Sequence, residues 1–276
     1  ERYEKELRKH DYDPKYYTIL ERLYIEALEN YPEDASWLHK LKQFYERALQ
    51  EDPDNLAWNN NLLWLYQKTA LERPKEKEEL EDYIKLCEQV NRQRGYHHLL
   101  YRNLEHFYMR AKELTPQEKA SWDRRLKDLY EKAVAKDPEN STWSNQLAWL
   151  YVEQQIMPQR AVELAQQAVK SDPQKITVLD TLGWAYLRND QYRKALRTFE
   201  PVFLSPVTTE EDLKAQESSW EGLTELVQTE VDPQKSQEFD RAFLNFYHRL
   251  SRQFAEDPKA QAKLEVVFDL FKERRK

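Results

Sequence analysis

A five-residue pattern, Leu-x-Trp/His-x-Tyr, recurs four times in the 276-residue chain and constrains its fold more than any other feature. The copies begin 42, 43 and 35 residues apart, at Leu62, Leu104, Leu147 and Leu182. A self-similar unit at this spacing is typical of repeat proteins, in which each unit buries its apolar face against its neighbours. The pattern therefore predicts stacked repeats rather than one globular core.

The composition favours helices throughout. Charged residues make up 34% of the chain and aromatic residues 13%, and the chain has three glycines. Hairpin-rich sheets and phosphate-binding loops both need more glycine than this. Apolar residues also recur at helical spacing, as at Leu147, Leu150 and Tyr151. We therefore expect an all-α protein of about fourteen helices paired as antiparallel hairpins, near residues 2–10, 14–30, 34–51, 55–72, 75–93, 95–114, 116–136, 141–155, 158–171, 175–188, 191–204, 209–230, 233–254 and 258–275.

Helix ends are indicated by proline and by capping residues. Six Asp-Pro pairs indicate helix boundaries, because proline cannot continue a helix but suits the first turn of the next segment, which the aspartate can cap; these pairs begin at Asp13, Asp52, Asp137, Asp172, Asp232 and Asp257. Two further segments predict capping boxes, Thr115 with Glu118 and Thr208 with Glu211.

The stretch 176–203 resembles a tetratricopeptide (TPR) repeat. The residues that carry the resemblance are Leu182, Gly183, Tyr186, Ala195 and Phe199, and the preceding unit adds Leu147, Ala148, Tyr151, Ala161 and Ala168. The match is partial in residues 1–140, as at Tyr45, Ala48 and Pro53. Residues 204–276 show no TPR motif, and we expect them to hold degenerate repeats or a capping element. The resemblance implies a right-handed α-solenoid of helix pairs, a TPR-like superhelix. The residues of 141–203 resemble those of bacterial TPR proteins in particular.

A sister family, the half-a-TPR repeat of RNA-processing scaffolds, is the runner-up. It favours a Tyr-Glu-Arg-Ala-Leu segment followed by proline and tryptophan. The segment 44–49 with Pro53 and Trp58 resembles that form, as does the segment 130–134 with Pro138 and Trp143.

The resemblance also implies a binding surface, because one face of the first helix of each TPR pair usually lines a concave groove. The residues expected there are an aromatic ladder of Trp64, His106, Trp149 and Trp184, with the polar neighbours Asn145, Glu153, Asp180 and Arg188. The alternative is that the tryptophans pack into the adjacent repeat. Chaperone-tail TPR domains clamp a carboxylate with Lys and Asn. The matching positions here hold Asn145 with Trp149 and Asp180 with Trp184, so acidic chaperone tails are not the expected ligand.

Other functions are not supported by the residues. The net charge of −7 argues against nucleic-acid binding, no apolar run reaches membrane-spanning length, and no catalytic motif is present. His98 and His106 are two helical turns apart, about 12 Å, which is too far for one metal ion. Cys87 is the sole cysteine. We expect no metal and no cofactor.

The sequence therefore predicts a non-catalytic scaffold for protein–protein interaction, whose groove holds a peptide or helix of a partner within a bacterial envelope or assembly system. Its compartment would then be cytoplasmic or periplasmic. An RNA-processing scaffold, an exopolysaccharide-export scaffold and a regulator whose superhelix responds to a short peptide remain alternatives.

Overall fold

The fold was analysed in a computed structural model, which describes residues 14–31, 34–52, scattered positions between 55 and 92, 95–229 and 233–275. The chain divides into two compact units, Glu1–Leu129 and Tyr130–Lys276. Every regular element among the described residues is helical. Of the predicted helices, the one near 2–10 lies outside the described residues, and those near 55–72 and 75–93 lie mostly outside them.

The first unit contains α1 (Pro14–Asn30), α2 (Ala35–Glu51), α3 (His98–Leu114), a 3-10 turn (Pro116–Glu118) and the start of α4 (Lys119–Lys136). Helices α1 and α2 pack on each other as a pair. Aromatic rings fill the space between them: the Phe44 ring lies 5.4 Å from Tyr17 and 5.6 Å from Trp58. Glu21 accepts hydrogen bonds from Tyr45 Oη at 2.8 Å and Asn61 Nδ2 at 2.6 Å.

The second unit is a regular stack of helices, which follow the end of α4. They are α5 (Ser141–Glu153), α6 (Pro158–Ser171), α7 (Ile176–Arg188), α8 (Tyr192–Leu204), α9 (Glu210–Gln228), α10 (Pro233–Gln253) and α11 (Pro258–Arg274). Each odd-numbered helix from α7 onward packs on the odd-numbered helix before it, and α8 packs on α10. This pattern continues beyond Phe203, where the sequence shows no legible repeat motif.

Close packing in the second unit depends on small residues facing large ones. The Cβ of an alanine at Gly183 would overlap the Phe199 ring, and a Cβ at Gly222 would lie 2.7 Å from the same ring. Ala148, Ala161 and Ala195 are fully buried at the neighbouring interfaces. The small residues among those that carry the TPR resemblance therefore let the helices approach each other.

Helices end or begin at the described Asp-Pro pairs as predicted, but the role of the aspartate differs between these boundaries. Asp257 does cap α11, since its Oδ1 accepts from the N–H groups of Lys259 and Ala260. Asp172 instead ends α6, because its own N–H bonds to the Ala168 carbonyl. The Asp137 N–H likewise bonds to the Ala133 carbonyl and ends α4, and the next helix is capped by Asn140.

The two predicted capping boxes are also corrected. Thr115 makes no side-chain cap; its buried hydroxyl donates to the Ala111 carbonyl and accepts from Trp122 Nε1 at 2.8 Å. The capping box of α9 lies one residue later than predicted and joins Thr209 with Asp212.

Candidate interaction surface

Three of the predicted groove residues lie on one face of α7, spaced four residues apart, and all three bond to α9. Ser219 Oγ donates to Asp180 Oδ1 at 2.6 Å. Trp184 Nε1 donates to Ser218 Oγ at 2.9 Å. Arg188 pairs with Glu225 through both terminal nitrogens, with Nη2 at 3.0 Å from Oε2. This face of α7 therefore holds the next helix of the stack in register.

Asp180 is 5% exposed and lies between α7 and α9. Burial raises the pKa of its carboxyl to about 7, although hydrogen bonds from Ser219 and Ser218 oppose the shift by stabilising the carboxylate. The nearby Glu221 charge raises the pKa further. Asp180 thus acts as an internal hydrogen-bond acceptor at the α7–α9 interface.

Trp184 is 7% exposed and has aromatic neighbours on two helices. Its ring meets Trp149 of α5 and Phe199 of α8 edge to face, each at 6.4 Å between centroids. The Arg188 guanidinium lies 5.0 Å from the Trp184 ring centroid. With its N–H bonded to Ser218, the Trp184 indole is fully engaged inside the unit.

The predicted residues of α5 are more accessible. Trp149 is half-buried, with one edge against Trp184, and Glu153 is exposed. Asn145 is partly buried, and its side-chain oxygen is shielded from solvent without a hydrogen-bond partner. The structure thus brings Trp149, Trp184 and Arg188 together, with Trp149 as the aromatic ring that reaches the surface.

Trp64 and His106 belong to the first unit. The Trp64 side chain is 50% exposed, and His106 is exposed beside Phe107. The predicted ladder therefore includes exposed and half-buried rings, together with one ring that is buried.

The sequence analysis missed the residues of α9 that complete this surface, namely Ser218, Ser219, Gly222 and Glu225. One signal could have found them: Gly222 is a glycine within a helical segment, 39 residues after Gly183, in a chain with three glycines. Gly222 admits the edge of Trp184, because an added Cβ would lie 3.0 Å from that indole.

Two structural observations bear on other classes of site. The described residues contain no cluster of histidine, cysteine and carboxylate side chains that could hold a metal ion. Among the helices that are described, none combines the length and the apolar character needed to cross a bilayer.

The chain resembles solved structures of TPR proteins. One is YrrB, described as a TPR protein with an unusual peptide-binding site; it matches with a TM-score of 0.52 and 15% identity over 79% of this chain and 98% of YrrB. Another is a TPR protein from Parabacteroides merdae, with a TM-score of 0.50 and 14% identity over 92% of this chain and 99% of that one. The sequence matches no protein-family model and no curated protein.

These likenesses, together with the helix packing of the second unit, confirm the predicted all-helical fold of TPR type. At 14–15% identity they concern the fold, and the role of the surface has to be argued from this chain's own residues.

Proposed function

We propose that the protein is a non-catalytic scaffold that binds a peptide or helix of another protein, and that Trp149 is the central contact in the second unit. The observation that carries the proposal is the arrangement of two tryptophans. Trp184 is locked by α9, and Trp149 rests edge-on against it with part of its ring exposed. A rigid, half-exposed indole offers large apolar area at little entropic cost, which is typical of binding hot spots.

The predicted groove residues divide into two roles under this proposal. Asp180, Trp184 and Arg188 position the surface, because their polar atoms bond to α9. Asn145, Trp149 and Glu153 are proposed to contact the ligand, because they are the partly or fully exposed members of the predicted set on α5.

The surface has an exposed acidic side chain at its α9 border, Glu221. Glu221 is exposed and close enough to raise the Asp180 pKa, and Glu225 already neutralises Arg188. A ligand with a basic residue beside its apolar contact would therefore be favoured electrostatically. Trp64 and His106 are proposed to contact a ligand on the first unit. Placement in a bacterial envelope or assembly system rests on the TPR resemblance of residues 141–203.

The test is a quantitative pull-down from lysate, comparing wild type with Trp149→Ala. We expect one or more proteins to be captured by wild type and depleted with Trp149→Ala, because truncating a central tryptophan at an interface costs about 2 kcal/mol or more. Met157→Ala is the matched control, since Met157 is a 52% exposed apolar side chain at the start of α6.

Circular dichroism and the urea midpoint of both variants separate lost binding from lost folding. If folded Trp149→Ala captures the same proteins as wild type, the α5 surface is not the binding surface. Capture of glycans rather than proteins by the wild type, measured on a glycan array, would instead support the exopolysaccharide alternative.

A further inference from the structure

A cleft of about 370 Å³ lies between the first turn of α8 and the N-terminal half of α10. Its walls include Tyr192, Arg193, Lys194, Arg197, Glu238 and Phe239. These helices do not include α5 or α7, which carry the surface proposed above. The volume lies within the range of small-ligand pockets, so the cleft can hold a few residues of an extended chain rather than a helix.

The charges of the cleft do not balance. Of its two carboxylates, Glu238 pairs with Arg193, and Asp190 accepts a hydrogen bond from the neutral Tyr192 Oη at 2.7 Å. Lys194 donates to the neutral Gln191 side chain at 2.6 Å and keeps its charge. Arg197 is exposed and has no hydrogen-bond or ion-pair partner among the described residues. The lining thus holds three cations, Arg193, Lys194 and Arg197, against two carboxylates and has a surplus of positive charge.

The inner wall of the cleft is aromatic. Phe239 is 2% exposed, and Tyr192 meets it edge to face at 6.1 Å. The Arg274 guanidinium lies 4.8 Å from the Phe239 ring centroid, and its Nη1 is buried without a hydrogen-bond partner. A further positive charge thus stands next to the cleft. Burial and the hydrogen bond to Asp190 raise the pKa of Tyr192 to about 12, and the Arg274 charge opposes that rise. The cleft therefore combines an apolar floor with an excess of cations, in a chain whose net charge is −7.

We propose that this cleft is a second interaction site, which binds a short acidic segment of a partner protein. Carboxylates of the segment pair with Arg197 and Lys194, and an apolar side chain of the segment packs against Tyr192 above Phe239. Charge complementarity identifies the occupant, because an acidic segment supplies the anions that the cleft lacks. This segment is acidic, whereas the ligand favoured at the α5–α7 surface carries a basic residue.

The experiment is selection from a random heptapeptide library displayed on phage, with wild-type protein as bait and Lys194→Gln/Arg197→Gln as counter-selection. We expect the retained peptides to be enriched in Asp and Glu next to one apolar residue. Their synthetic versions should bind wild type in calorimetry with an affinity that falls as salt is added. The double variant should lose about tenfold in affinity, because each exposed charge pair contributes modestly.

Matched controls separate the cleft from general electrostatics and from the surface at Trp149. Lys136→Gln/Lys170→Gln removes the same charge from exposed positions in α4 and α6 and should bind like wild type. Trp149→Ala should also bind the acidic peptide like wild type. The proposal is overturned if no peptide is retained, if the retained peptides lack carboxylates, or if the cleft variant binds them as tightly as wild type.

Discussion

Asp180 is a carboxyl group buried between two helices, and its ionisation links stability to pH. Its pKa is raised to about 7 in the folded protein from an ordinary value of 3.8. The folded state therefore binds the proton more tightly than the unfolded state does. The contribution of Asp180 to the free energy of unfolding is greatest below pH 4 and declines as the pH rises to about 7.

Asp180→Asn should remove this decline, because an amide does not ionise and its oxygen can still accept from Ser219. We expect the variant to be as stable as wild type near pH 4 and more stable at pH 8, measured as the urea midpoint across the pH range. Asp172→Asn, at the end of α6 where no comparable burial applies, is the control and should follow wild type. If the stability of Asp180→Asn declines with rising pH as much as that of wild type, groups other than Asp180 cause the decline.

Gly183 is required by the close approach of the Phe199 ring. Gly183→Ala should destabilise the protein by about 1–3 kcal/mol, the usual cost of overpacking, and urea unfolding measures it. Phe199→Leu in the same chain should recover part of that loss, since it withdraws the atoms that the new methyl group meets. If the two effects simply add, the overlap is relieved elsewhere in the unit.

At the scale of the element, α9 depends on the Thr209–Asp212 capping box at its first turn. Thr209 Oγ1 accepts from Asp212 N–H at 3.0 Å, and the Asp212 carboxylate accepts from Thr209 N–H at 3.0 Å. Thr209→Ala should therefore cost about 1 kcal/mol and speed hydrogen exchange in the first turn of α9. Thr198→Ala, which removes a hydroxyl bonded to the Lys194 carbonyl, should leave exchange in α9 unchanged.

Helix identity was predictable from the sequence in the second unit, because it depends on local periodicity and on proline positions. The residues that cap the helix ends were less predictable. An aspartate before proline can cap the next helix, as Asp257 does, or can end the preceding one, as Asp172 does. The choice depends on which backbone groups remain unpaired after the helices have packed.

At the scale of the whole molecule, the second unit should depend on its terminal helices. Helix α9 covers Asp180 and Trp184, and its Trp220 ring lies 4.3 Å from Phe203. A chain ended at Ser205 would expose these groups to water. We expect this chain to lose more helicity than the deleted helices account for, because α7 and α8 also lose structure, and to bind a hydrophobic dye. The physical reason is that stacked repeats are stabilised by their nearest neighbours.

A chain ended at Ala255 removes α11 alone and serves as the comparison. It should retain the α7–α9 bonds and near-native helicity per residue, while exposing Phe243, whose ring lies 4.3 Å from Phe271. If both truncated chains lose structure equally, the unit folds as one cooperative block rather than as a stack. Native mass of the full chain tests the half-a-TPR alternative, which predicts a homodimer.

The sequence by itself determined the all-helical class and the TPR type of the fold, since these follow from the local spacing of apolar, small and proline residues. Only the tertiary structure decided what the conspicuous polar and aromatic residues do. At the α7–α9 interface, Asp180 accepts a hydrogen bond from Ser219, which lies 39 positions away in the sequence. In the cleft, Arg193 pairs with Glu238, which lies 45 positions away. These long-range pairs depend on how the helices stack, including helices that have no repeat motif in their sequence. Burial and pairing are properties of the packed helices and not of the local sequence.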